Sequence, residues 1–334
     1  MRIWYQLGQF ISHARAGRDN KLALLAAGHE IVSDKAQADV AILHDEPIFL
    51  SAALQQLQGL PRIAYAVVET DPMPQVYVEP LKNVDEVWTC STFSRDILAR
   101  EIDGVHVVPH VVTRPRFSKA DIQRVRSLIG ADQHQELFTF YTISDGVNRR
   151  KNLAGLLRTF ASLGKGRARL VVKQYRHPLD LSNLPGVVSI PEELSDGEIA
   201  ALHALGDCYV SAHCAEAWGL GLSEAMAFGK PVVATGYSGN MEFMHEDNSL
   251  PVRAEVQTIR SEDLALCPPF FTPDMRWAYV DEGELAARMR QVMRHELHRD
   301  QGFAQRAAEV ARTYSPLNVG RIMDQRLQAL VGGG

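Results

Sequence analysis

Short apolar runs alternate with segments of helical period along most of the chain, and the series runs through twice. "MRIWYQL" is followed by a helical stretch ending "LALLAAGHEI", then by "ADVAILH", a second helical stretch and "RIAYAVVE". "VDEVWTCS" leads into "STFSRDILAREI", where Ser91 or Thr92 is placed to cap a helix, and "VHVVPHVV" closes the set. Strand, helix, strand in this order predicts βαβ units and a parallel sheet buried on both faces. Residues 113–136 are polar and carry no strand signal, so they read as a connection that holds a helix. The alternation then restarts with "LFTFYTIS", "KNLAGLLRTFASL", "ARLVVKQ", "GVVSIPEEL", "SDGEIAALHALG", "DCYVSAH" and "PVVATG". The expectation is α/β: two doubly wound, Rossmann-like parallel-sheet domains at 1–115 and 137–315, joined by a linker at 116–136. The end of the chain is strongly helical and interrupted at Pro316, and helix 316–334 is expected to pack back on the first domain. Open parallel sheets bind ligands outside the carboxyl ends of their strands, so the expected ligand lies in a cleft faced by both domains.

With 334 residues there is room for two domains of ordinary size. A net charge of −5 with dispersed basic residues argues against a nucleic-acid partner; clusters such as "NRRK" suit a local anion site instead. Cys90, Cys208, Cys214 and Cys267 have no C-x-x-C spacing and no metal-site pattern, and Cys90 and Cys208 read as reduced, buried small hydrophobes. The chain opens without a basic segment followed by an apolar one, and no apolar run approaches ~20 residues. A cytoplasmic protein is expected, with peripheral membrane contact left open.

"EAWGLGLSEAMAFGKPVV" puts Glu216 and Glu224 in an otherwise apolar, glycine-containing segment, where buried carboxylates are costly without partners. The segment reads as a strand end, a glycine loop and a helix beginning near Gly221. A helix N-terminus offers N–H groups and partial positive charge to phosphate, and Gly219 and Gly221 let backbone approach a diphosphate closely. The alternative for the two carboxylates is a solvated helix face or an N-terminal cap. In "SDGVNRRKNLAGLL", Arg149, Arg150 and Lys151 stand where a helix follows a strand, placed to meet an anion; the alternative is a solvated basic helix start. In "ATGYSGNMEF", Gly239, Asn240 and Met241 present backbone N–H groups to phosphate or sugar, or form an ordinary Gly/Asn turn. His213 either contacts the ligand or supports the loop through its ring hydrogen bonds. At strand ends of the first half stand Gly8, His44 and Glu69, with Glu69 expected near a reacting hydroxyl. His110 reads as structural.

"DCYVSAHCAEAWGLGLSEAMAFGKPVVATGYSGNMEF" resembles the donor-site segment of retaining GT-B nucleotide-sugar glycosyltransferases. The shared elements are the E-x7-E pair, "EAMA-x-GKPV" and "SGN-x-EF". A weaker likeness extends to "RRKN", "PHVV" and the terminal helices. The resemblance implies transfer of a sugar from a nucleoside diphosphate sugar to a saccharide or lipid-linked acceptor, with retention and with neither metal nor cofactor. It implies that Glu224 holds the ribose, that Glu216 lies by the donor sugar, and that Lys151 meets the diphosphate; Gly219, Leu220 and His213 fall in the same donor segment. Asp145 and Gly146 stand where the family has an arginine, Cys214 where Arg is frequent and Ala217 where Gly is. A nucleotide-sugar epimerase and a non-catalytic nucleotide-sugar-binding partner share the architecture and remain the alternatives.

Overall fold

A computed structural model describes residues 1–8, 11–57, 59–130, 137–164 and 166–332. The stretch 131–136 of the expected linker lies outside the described residues. The chain divides into two compact units: Met1–Val112 with Pro268–Met275 and Arg312–Gly334, and Thr113–Cys267 with Arg276–Ala311.

The first unit carries β1 (Arg2–Leu7), α1 (Ile11–Ala26), β2 (Glu30–Val32), β3 (Val40–His44), α2 (Leu50–Gln55) and β4 (Arg62–Tyr65). It continues with α3 (Val78–Lys82), β5 (Glu86–Thr89), α4 (Thr92–Leu98) and β6 (Val105–Val107). Among the described residues its sheet has the order β2-β1-β3-β4-β5-β6, all parallel. Every residue of β3 and β5 is buried, as expected for strands covered on both faces. Ser91 caps α4 by accepting the N–H of Ser94. The rings of His44, Tyr65 and His110 stack at the ends of this sheet, with Tyr65 and His110 centroids 5.4 Å apart.

The second unit begins with α5 (Lys119–Leu128), whose Ser118 and Asp121 form a reciprocal cap, then β7 (Phe138–Ser144) and α6 (Leu153–Ala161). β8 (Ala168–Gln174), β9 (Val187–Ile190), α7 (Asp196–Leu205), β10 (Cys208–Ser211), α8 (Leu220–Ala227), β11 (Val232–Thr235) and β12 (Leu250–Val252) complete the alternation. The sheet order is β12-β11-β10-β7-β8-β9, again all parallel among the described residues. Ala254–Thr258 (β13) and Arg276–Val280 (β14) add an antiparallel ribbon, with α9 (Ser261–Leu264) between them. The sequence reading did not anticipate this ribbon, because the stretch between its strands lacks the spacing of a tight hairpin. α10 (Glu282–Arg294) and α11 (Gln301–Thr313) follow. The core gathers Phe140, Leu170 and Val172 from the strands with Leu156 and Phe160 of α6 and Leu285 and Met289 of α10.

α12 (Pro316–Gly332) packs against α1 within the first unit. A Cβ on Gly320 would lie 2.2 Å from the carbonyl oxygen of Ala23, so the two helices meet backbone to backbone there. Arg326 bonds the buried carboxylate of Glu86, which also accepts from Trp88 Nε1 at 2.9 Å. Among the described residues no helix is long and apolar enough to cross a membrane.

Candidate functional site

β10, β7 and β11 lie side by side in the second sheet, and the segments leaving their carboxyl ends are tied to one another by hydrogen bonds. Asn152 is the first tie. Its backbone is left-handed, at φ +47°, and its side chain accepts from Gly155 N–H at the start of α6 while donating to Ala212 O at 3.0 Å. Cys214 N–H donates to Arg150 O at 2.7 Å, and Arg150 Nη1 donates to Ala215 O at 2.5 Å. The turn carrying Arg149–Lys151 is thereby held along residues 212–216.

The other flank is held by the turn Gly239–Glu242. Gly239 N–H donates to Glu216 O at 2.8 Å, and Ser238 Oγ accepts the Glu216 N–H at 2.8 Å. Ser238 adopts φ +77°, a region that favours glycine, in the service of this contact. A Cβ on Gly239 would fall 1.7 Å from Ala217 O, so only glycine fits. His213, fully buried, spans Ser211 Oγ at 3.0 Å and Asn240 Oδ1 at 3.1 Å. Burial pushes its imidazole down to about 4.

At the centre stands Glu216, 8% exposed. Its carboxylate receives Lys151 Nζ at 2.5 Å on one oxygen and Arg150 Nη1 at 3.1 Å on the other. Burial alone would raise its pKa, but the two cations outweigh that cost and hold the carboxyl well below the usual range. Gly219, at φ +92°, turns the chain into α8, which begins at Leu220. The helix therefore starts one residue earlier than expected, and Glu224 sits in its second turn. There the carboxylate, 8% exposed, lies 3.4 Å from His203 Nε2 on α7.

Residues 136–250 match the family model of the glycosyl transferases group 1. That stretch holds every residue of the cluster just described. No curated protein matches the chain in a sequence comparison. HepE of Anabaena, solved with UDP-glucose, superposes with a TM-score of 0.68 over 98% of this chain and 100% of its own, at 13% identity. A glycosyltransferase of Rickettsia africae gives 0.69 at 13% identity over 99% and 98%. Sucrose-phosphate synthase of Thermosynechococcus elongatus gives 0.66 at 15% identity over 89% and 75%. Two six-stranded parallel sheets flanked by helices, with these likenesses, make the fold GT-B.

Within the matched segment the structure brings together Glu216, Lys151, Arg150, His213, Gly239 and Asn240. Arg149 is exposed, and Arg150 is the arginine that reaches Glu216. Asp145, in the stretch where the family arginine was expected, is buried 3.7 Å from Arg176. Gly239 and Met241 donate their N–H groups to protein carbonyls, of Glu216 and Ser238. Gly8 and Glu69 belong to the first unit. Gly8 N–H donates to His44 O at 2.8 Å, and Glu69 is half-buried beyond β4; burial and Glu46 raise the Tyr77 phenol, and the charge of Glu69 adds to them. Sequence reasoning passed over Ser238 and His203. Ser238 lay inside the quoted "SGN" motif; His203 lay on a helix with no local signal. Among the described residues no group of three His, Cys, Asp or Glu is placed to hold a metal ion.

Proposed function

We propose that the second unit binds a nucleoside diphosphate sugar and that the protein transfers its sugar to an acceptor hydroxyl, retaining the anomeric configuration and using protein cations in place of a metal. The observation that carries this reading is the seating of Lys151 and Arg150 together on Glu216, beside the start of α8. Two cations on a single buried carboxylate leave local positive charge, and that charge suits a diphosphate entering next to a helix N-terminus. In this reading Glu216 accepts hydroxyls of the donor sugar and Glu224 those of the ribose. Lys151 and Arg150 stabilise the charge that grows on the diphosphate as the glycosidic bond breaks. The acceptor attacks from the face the diphosphate leaves. The glycosyl transferases group 1 match supports the reaction class, and HepE, solved with UDP-glucose, supports the donor class.

The test is a thermal-shift panel of uridine, guanosine and adenosine diphosphates and their sugars, followed by transfer assays with the donor that stabilises the protein. Proton NMR of the product's anomeric centre reads the configuration. Stabilisation by one nucleotide series and an unchanged anomer are expected. No stabilisation by any of them, or a product of inverted configuration, would overturn the corresponding part of the reading.

A further inference from the structure

Glu224 is nearly buried in the second turn of α8, so its carboxylate depends on donors brought by other elements. One comes from α7. His203 is 1% exposed and sets Nε2 3.4 Å from Glu224 Oε2. Across the same ring, Nδ1 lies 3.0 Å from the hydroxyl of Tyr141, a buried residue in the middle of β7. An ionised carboxylate only accepts, so the hydrogen on this contact belongs to Nε2. A neutral imidazole then accepts at Nδ1, and the Tyr141 hydroxyl is the donor there. Burial pushes that phenol well above its ordinary range, which keeps its proton in place. The chain runs from Tyr141 O–H to His203 Nδ1, and from His203 Nε2–H to Glu224.

The ring has little freedom to turn away from this arrangement. It stacks on Phe228 at 5.6 Å with 20° between planes and meets Tyr141 edge-on at 5.5 Å. A phenylalanine would satisfy such packing equally well; what the imidazole adds is one directed donor and one acceptor in line.

We propose that His203, backed by Tyr141, is a positioning residue for nucleotide binding: it holds the Glu224 carboxylate in the orientation that receives the ribose hydroxyls. This rests on the ribose role proposed for Glu224 and adds the element that makes it work. His203 touches no ligand in this account and acts only through Glu224.

The experiment measures, by calorimetry, the affinity of the full chain for uridine, guanosine and adenosine diphosphates and for their 2′,3′-dideoxy counterparts. Wild type is compared with Glu224→Gln, His203→Phe, His203→Gln and Tyr141→Phe. Loss of one hydrogen bond to a charged acceptor predicts that His203→Phe weakens the ribonucleotide roughly 10- to 100-fold and leaves the dideoxy form unchanged. His203→Gln, whose amide N–H stands near the Nε2 position, restores most of the ribose preference. Tyr141→Phe lowers that preference by a smaller factor, because the ring loses its tautomer lock but keeps its place. Equal weakening of both nucleotide forms by His203→Phe would mean a packing role and overturn the proposal. If Glu224→Gln abolishes the ribose preference while His203→Phe and Tyr141→Phe preserve it, the positioning role falls and the ribose reading stands. If Glu224→Gln leaves the preference intact, the ribose reading itself fails. Where His203→Phe does not fold, His203→Gln and Tyr141→Phe decide, since a ribose preference unmoved by Tyr141→Phe overturns the chain.

Discussion

Lys151 sits where its charge has two uses. In the structure it neutralises Glu216; in the proposed reaction it meets a diphosphate whose charge grows toward the transition state. An interaction that strengthens along the reaction coordinate shows in turnover more than in ground-state affinity. Lys151→Ala is therefore expected to lower kcat by ~10²–10³ while donor affinity changes far less. Steady-state kinetics beside calorimetry checks this, and unchanged kcat would remove Lys151 from the chemistry. The neighbouring arginines separate just as clearly. Arg150 touches Glu216 and Ala215 O, whereas Arg149 is exposed. Arg150→Ala should approach the Lys151→Ala defect, and Arg149→Ala should stay within a few-fold of wild type. The reverse order would mean that the observed pairing does not persist when donor binds.

Between elements, the site depends on a contact too close for any side chain. The turn Gly239–Glu242 lies directly on the backbone of Glu216 and Ala217, and a Cβ at Gly239 would overlap Ala217 O. Gly239→Ala must separate the two segments, stretching the bonds Gly239 N–H to Glu216 O and Glu216 N–H to Ser238 Oγ. Overpacking of this kind costs ~1–3 kcal/mol, a melting-temperature drop of a few degrees for a unit this size. Activity should fall by a larger factor than stability predicts, because Glu216 moves with the loop. Thermal melts and transfer assays on the same preparation test the pairing of the two losses. Wild-type activity from a destabilised Gly239→Ala would show that the placement of Glu216 tolerates the shift.

Across the whole molecule, buried histidines set how stability responds to acid. His44, His110 and His213 lie in the two cores, and burial pushes each imidazole down: His110 to about 3, His213 to about 4, and His44 well below its ordinary value. In the unfolded chain each titrates near ~6.5, so below that pH the unfolded state binds more protons. The stability these groups contribute is complete above ~6.5 and is lost as pH falls toward the folded values. Each adds a slope of up to ~1.4 kcal/mol per pH unit in that window. The melting temperature is expected to be flat between about pH 7 and 8 and to fall steeply from 6.5 to 5. Calorimetric unfolding near pH 5 should take up about three protons at these rings, with His29, His106 and His298, also pushed down by burial, adding to the total. A melting temperature indifferent to pH over that range would show that these rings are charged in the folded protein.

The sequence by itself determined the class of the fold. Runs such as "VAIL" and "VVA" are apolar throughout, and only strands covered on both faces keep such runs dry. It also determined where cations, glycines and carboxylates cluster, because strand ends and helix starts punctuate the chain locally. Tertiary structure alone decided which of those groups meet. Glu216 and Lys151 are 65 residues apart, and their contact depends on β7 and β10 being neighbours in the sheet. The same holds for His203 and Glu224, drawn from two helices around β10. The need for glycine at 239 comes from a backbone that arrives from residues 216–217, and the antiparallel ribbon joins strands separated by an irregular stretch. Periodicity reports a residue's surroundings along its own element, whereas contacts between elements depend on which strands the folded chain places side by side.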